Sequence, residues 1–209
     1  VKNIEKVIGE VKVLDRSSLI LDIFAMHART KESKMMVEIA QMEYTMPRLT
    51  NMWTHLCRQV GGIGTRGPGE SQLESDKRQI QKRISDLKKR LKKIEKSRVF
   101  QADSSKDAFH IATVGYTNAG KSTLTKALTK ADLYIADRLF ATLDSTTRQI
   151  PLGESRNAII SDTVGFIRKL PHHLVASFKS TLGVVREADL VMHVVDGTAE
   201  DFMNHIEVA

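Results

Sequence analysis

Gly115-Tyr116-Thr117-Asn118-Ala119-Gly120-Lys121-Ser122 is a complete G-x-x-x-x-G-K-S string, and its flanks give it meaning. Residues 109–114 before it form an apolar, strand-like run, and residues 121–129 after it read as a helix. A strand, a glycine-bearing loop and a helix start, in that order, turn backbone N–H groups toward one spot and favour phosphate oxygens there. Gly120 allows close backbone approach, Lys121 supplies a point charge for β and γ phosphates, and Ser122 offers a hydroxyl to magnesium.

Outward from this string, short β-rich runs alternate with helical ones. The spacing predicts strands at 109–114, 146–152, 158–162 and 190–196, with helices at 121–129, 171–187 and from 199 onward. That alternation implies an α/β domain with a mostly parallel sheet. At the end of the third run stands Asp162-Thr163-Val164-Gly165, a D-x-x-G. Asp162 at a strand end can hold magnesium through its water shell, and the Gly165 amide can meet a γ-phosphate.

Between the two motifs lies Phe140-Ala141-Thr142-Leu143-Asp144-Ser145-Thr146-Thr147, where a nucleotide switch needs a threonine to close over the metal. Thr142, Thr146 and Thr147 compete. Residues 146–152, 153–157 and 158–162 read as strand, turn, strand, which draws Thr146 and Thr147 into the sheet and leaves Thr142 as the direct magnesium ligand beside Ser122. Phe166, directly after the D-x-x-G, occupies the place where Ras-type enzymes carry a water-orienting glutamine. A phenyl ring cannot orient water by hydrogen bonding, so slow intrinsic hydrolysis stimulated by a partner is expected, and no catalytic residue is assigned.

Upstream the periodicity changes. Met35, Ile39, Met42, Met46, Leu49, Trp53 and Leu56 form one heptad seam, and Leu73, Ile80, Ile84, Leu87, Leu91 and Ile94 form another, with Lys77 in the remaining position. Pro47 is a candidate kink. Between the seams, Gly61-Gly62-Ile63-Gly64-Thr65-Arg66-Gly67-Pro68-Gly69-Glu70 is too glycine-rich to continue a helix. A long antiparallel hairpin with a glycine-rich tip at 61–70 follows. Before it, residues 9–14 resemble a strand, and Asp15-Arg16-Ser17-Ser18 is an N-cap cluster for an apolar helix. The expected division is an α/β remnant at 1–30, the hairpin at 31–100, a linker at 101–108 and a P-loop domain at 109–209.

The chain has 32 Lys plus Arg against 25 Asp plus Glu, a net charge of +7, which favours a polyanionic partner. The surplus gathers on the second hairpin helix, where Lys88, Lys89, Lys92 and Lys93, with Arg66 at the tip, are candidate RNA contacts that read phosphate shape rather than sequence. A single cysteine, Cys57, excludes an internal disulfide and reads as a structural thiol, which fits a reducing compartment. The seven histidines are scattered and do not read as a metal site. The most apolar run, residues 19–26, is interrupted by Asp22 and falls short of the roughly 20 residues a membrane span needs. Both termini read as cuts, and the guanine-reading N-K-x-D element is not among these residues.

The G-G-I-G-x-R-G-P-G-E string, the P-loop, Leu139-Phe140-Ala141-Thr142-Leu143-Asp144 and Asp162-Thr163-Val164-Gly165-Phe166 together resemble the HflX family of translation-factor-related GTPases. The resemblance implies a cytoplasmic GTPase that binds GTP, GDP and Mg2+, docks on the large ribosomal subunit and its rRNA, and splits stalled or idle ribosomes under stress; a monomer is expected. It also implies Thr142 as the switch I magnesium ligand. Two other readings compete: an RNA-binding helical module without nucleotide, and an ATP-dependent P-loop enzyme, which the switch I and D-x-x-G arrangement disfavours.

Overall fold

In the computed structural model, residues 4, 7–8, 11, 13–53, 68–102, 108–129, 139–140, 142–143, 145–153, 156–168 and 179–209 are described, with backbone alone at 50–53, 68–72, 95–96, 98–102 and 179–182. The elements run α1 (Arg16–His27), α2 (Lys31–Trp53), α3 (Pro68–Ala102), β1 (Phe109–Gly115), α4 (Lys121–Thr129), β2 (Thr146–Gly153), β3 (Arg156–Asp162), α5 (Lys179–Arg186), β4 (Leu190–Val194) and α6 (Phe202–Val208).

Each helix start has a local cause. The Asp15 carboxylate accepts the Ser18 amide at 2.8 Å and caps α1, leaving one fewer unsatisfied N–H in the first turn. Thr30 does the same for α2, accepting the Ser33 amide at 3.1 Å. The strand expected at 9–14 is not formed at residues 11, 13 and 14, and Ile4, Val7 and Ile8 are helical. A strand needs neighbours to satisfy its backbone, and the four strands of the sheet all come from later in the chain.

α2 and α3 pair along their heptad seams: Ile39, Ile84 and Leu87 are buried together, flanked by Met35, Met42, Ile80 and Leu91. Arg83 meets Glu38 at 2.9 Å and Lys88 meets Glu43 at 2.7 Å across the same seam. Pro47 lies inside α2, which continues past it. It has no N–H to offer the carbonyl one turn back, and nearby the Gln41 and Tyr44 carbonyls accept from Thr45 Oγ1 at 2.7 Å and Arg48 Nη1 at 2.8 Å. α3 begins at Pro68, within the stretch expected to form the tip; proline's fixed φ and missing N–H suit a first helical turn. Cys57 and residues 61–67, Arg66 included, lie outside the described residues.

The sheet order is β2-β3-β1-β4, with β1 parallel to β3 and β4, and β2 antiparallel to β3. β1 is central and its residues from Ile111 onward are buried, as a strand covered on both faces requires. Ile111, Ile150, Ala158 and Ile160, with Met192 against them, form the core on the sheet. Of the helix expected at 171–187, the described part is α5.

A second apolar face of α2 was not expected from the heptad seam. Met36, Val37 and Ala40 pack with Ile20, Leu21, Phe24 and Ala28 of the α1 region and with Phe140, Leu143 and Val164 from the loops after α4 and β3. Each large side chain buried in this way contributes about 1.5–3 kcal/mol. The helical region and the nucleotide domain thus share a core.

Candidate functional site

The P-loop leaves the C-terminal end of β1 and runs into α4. Asn118 and Gly120 hold positive φ values of 62° and 89°, which curl the loop so that its amides and those of the first turn of α4 face one concavity. Gly115 has φ 151°, and a Cβ there would lie 2.2 Å from the Val194 carbonyl oxygen. Only glycine lets β1 approach β4 so closely at this point.

Lys121 is 5% exposed. Its Nζ donates to the carbonyl oxygens of Gly115 at 3.2 Å and Tyr116 at 2.8 Å. Burial pushes its pKa down to about 8, and the Asp162 carboxylate only partly offsets that. Asp162, 1% exposed, has its pKa raised by burial against the opposing pull of Ser122, Lys121, Thr113 and Thr142. Both groups are therefore held in a poorly solvated spot where a bound ion would replace missing hydration.

Ser122 Oγ donates to Asp162 Oδ2 at 2.5 Å and lies 2.7 Å from Thr142 Oγ1. Having given its one proton to the carboxylate, Ser122 must accept from Thr142. Three residues from three elements thus meet at one point: the first turn of α4, the loop before β2 and the end of β3. Neighbouring oxygens around an octahedral magnesium ion are about 2.9 Å apart. The Ser122 and Thr142 hydroxyl oxygens would need only a small outward movement to hold such an ion directly, with the Asp162 carboxylate beside them to accept from its water, and hard oxygen donors are its preferred ligands. Thr146 and Thr147 are in β2, opposite Asp162 and Ser161 in the ladder.

Both loops bordering the site are tied to the P-loop. Thr117 Oγ1 accepts the Phe140 amide at 2.9 Å, while the Thr117 amide donates to the Phe166 carbonyl at 2.7 Å and the Phe166 amide to the Gly115 carbonyl at 3.0 Å. Gly165 packs so closely that a Cβ would fall 2.5 Å from Thr117 Cα and 3.0 Å from Lys121 Nζ. Thr163 Oγ1 donates to the Thr113 carbonyl at 2.6 Å, which fixes the end of β3 beside β1. The Tyr116 ring stacks on His205 of α6 at 3.9 Å between centroids. Its hydroxyl accepts the Arg168 amide at 3.4 Å.

Of the residues singled out in the sequence, 115–122, Thr142 and 162–165 converge here, with Phe140 and Leu143 buried behind them. Ala141 and Asp144 lie outside the described residues. The basic candidates are elsewhere, on α3, where Lys89, Lys92 and Lys93 are exposed. Lys88 is engaged by Glu43. Phe24 and His205 escaped the sequence reading as neighbours of the site, as did the tie from Thr117 to Phe140, since each contact joins residues distant in sequence.

Two family profiles match the chain: one described as the GTP-binding GTPase middle region over residues 27–104, the other as a 50S ribosome-binding GTPase over residues 110–208. Among similar proteins, GTPase HflX of Caldanaerobacter subterraneus subsp. tengcongensis is 53% identical over 100% of this chain and 49% of its own length. GTPase HflX of Escherichia coli is 50% identical over 99% of this chain and 49% of its own. A solved GTP-binding protein from Sulfolobus solfataricus, in complex with GDP, aligns with 99% of this chain and 52% of its own at 29% identity and a TM-score of 0.49. The chain spans about half the length of the relatives it matches. With two adjoining family profiles and relatives of this similarity along nearly all its residues, the chain belongs to the HflX family of GTPases.

Proposed function

We propose that the protein is a GTP-binding, GTP-hydrolysing switch that works on the large ribosomal subunit and splits or rescues stalled ribosomes under stress. The observation that carries the nucleotide part is the meeting of Ser122, Thr142 and Asp162 beside buried Lys121. In this reading Ser122 and Thr142 ligate Mg2+ directly, Asp162 holds its water, and Lys121 turns from the loop carbonyls to the β and γ phosphates. Magnesium, when bound, neutralises charge between those phosphates. The chain's own contribution is to position them, with the loop amides of 115–122 and the Gly165 amide as donors.

Phe166 offers no hydrogen bond to a water nucleophile, so hydrolysis is slow alone and stimulated by the ribosome; equal single-turnover rates with and without large subunits would refute that dependence. The guanine preference is tested by titrating fluorescent GDP and ATP against this chain and against one extended by roughly 100 residues, about what a complete nucleotide domain adds. Guanine-selective binding supports the reading, and adenine preference sinks it.

The ribosomal part is supported by the family description of a 50S ribosome-binding GTPase and by the basic side of α3. At about 100° per residue, Arg78, Lys82, Lys89, Lys92 and Lys93 occupy one side of the helix within roughly 100° of arc, and all are exposed. Glu43 turns Lys88 toward α2 instead. Replacing Lys89, Lys92 and Lys93 by glutamine should flatten the dependence of log affinity for large subunits on log salt by about 0.7–0.9 per lost phosphate contact. An unchanged slope would mean a merely solvated face. The same stripe favours the second reading, an RNA-binding module in which nucleotide is dispensable; salt-dependent rRNA binding by a Lys121→Ala chain with no nucleotide dependence would select it. Among the described residues no helix is long and apolar enough to cross a membrane, and we place the protein's work in the cytoplasm, as a monomer, on the strength of the ribosomal partner.

A further inference from the structure

We propose that Thr117, in the middle of the P-loop, is a positioning residue that anchors Phe140 through its side-chain hydroxyl and thereby places Thr142. The inference rests on reading Thr142 as a magnesium ligand. Thr117 is 5% exposed, and its Oγ1 accepts the Phe140 amide at 2.9 Å. Phe140 takes a positive φ of 56°, which a non-glycine residue adopts only where its surroundings compel it. Those surroundings are visible: the ring is 2% exposed and meets Phe24 edge-on at 4.5 Å between centroids. The amide is clasped on one side and the ring is buried on the other.

Thr142 follows two residues later, with its hydroxyl 2.7 Å from Ser122. Two residues span at most about 7 Å, so fixing Phe140 confines Thr142 to the neighbourhood of the metal position. Thr117 also reaches the opposite loop, since its own amide donates to the Phe166 carbonyl. One P-loop residue therefore ties down both loops that flank the site, the first with its side chain and the second with its backbone. Only the first tie depends on what residue stands at 117. Serine retains the acceptor oxygen; valine retains the shape and loses it.

The test compares wild type, Thr117→Ser and Thr117→Val by amide hydrogen exchange in the nucleotide-free chain, with the Mg2+ dependence of GTP-analogue affinity measured on the same proteins. In the valine variant the Phe140 amide should exchange about tenfold faster, while the Phe166 amide, bonded to the Gly115 carbonyl, keeps its protection. Serine should restore Phe140 to within about twofold of wild type. Unchanged protection of Phe140 in the valine variant overturns the clasp. So does loss at Phe140 and Phe166 together, which would make Thr117 a packing residue, and so does a serine variant as fast as valine. If the exchange pattern holds, the gain in affinity from Mg2+ should shrink in the valine variant alone; a full Mg2+ gain beside a lost clasp would refute the assignment of Thr142 and leave the hydrogen bond standing.

Discussion

Raising the pH above 8 should weaken nucleotide binding through Lys121 alone. In the free protein burial has brought its pKa from 10.5 down to about 8, whereas a polyphosphate beside the ammonium favours the charged form and raises the value again. A group whose pKa rises on binding takes up a proton, so the affinity is fully present below the free-state value and is lost as pH climbs through it. The fraction of free protein holding the proton falls by about tenfold from pH 7 to pH 9 when the pKa is about 8, and affinity should fall by about the same factor. The assay is titration with a slowly hydrolysed GTP analogue at constant Mg2+ across that range, with calorimetry at pH 9 in two buffers of different ionisation enthalpy to count close to one proton taken up. Affinity constant from pH 7 to 9, with no proton uptake, would refute the reasoning, because the ammonium would then be charged before the ligand arrives. The free protein supplies a check of opposite sign. Between about pH 8 and 10.5 the unfolded chain holds a proton that the folded one has released, so unfolding free energy attributable to this group should rise by up to about 1.4 kcal/mol per pH unit.

Asp162→Asn should raise the melting temperature of the nucleotide-free protein, because burial already disfavours that carboxylate, while cutting the Mg2+ contribution to nucleotide affinity by about 10–100-fold; a lower melting temperature would show the charge to be stabilising. Gly165→Ala places a methyl 2.5 Å from Thr117 Cα, so backbone must move, and the Phe166 amide should lose exchange protection; unchanged protection would mean that the close approach of the two loops is not maintained. Phe24→Ala, at a site 1% exposed, should cost about 3–5 kcal/mol in urea unfolding, with Phe24→Leu recovering most of it; a loss below about 1 kcal/mol would mean that the shared core is loosely packed.

What the sequence makes legible is what local chemistry dictates. The P-loop needs glycine where φ is positive and a lysine at the helix start, so its string identifies itself, and α4 occupies the residues expected. Thr142 could be separated from Thr146 and Thr147 because strand pairing is itself readable: the turn at 153–157 implies the β2–β3 ladder, and that ladder takes the latter two. The heptad seams are similarly visible, and they meet as periodicity demands.

The second face of α2 was hidden by the first. Met35 and Ile39 announce a seam toward α3, and their neighbours Met36, Val37 and Ala40 read as its margin. Their burial depends on Phe24, 12 or more residues earlier, and on Phe140, about a hundred later, and no window of sequence contains both. The same holds for Phe140 and Leu143, which look like loop residues until α1 and α2 are set against them. The strand expected at 9–14 is missing at its described residues, 11, 13 and 14, for a related reason: propensity describes what a segment tolerates, while a strand also requires a partner.

α2 therefore faces two surfaces of different kinds. Toward α3 it meets an apolar seam flanked by Arg83–Glu38 and Lys88–Glu43, and Leu91 of that seam also packs against the cluster holding Phe140, Leu143 and Val164. Toward the sheet it meets Phe140, Leu143 and Val164, which belong to the loops that a γ-phosphate and magnesium would hold. A change at those loops would act first on the second surface, and Leu91, packed against both, couples it to the first. Phe140 is where that change would begin, since its ring, its strained backbone and its amide each answer to a different part of the protein.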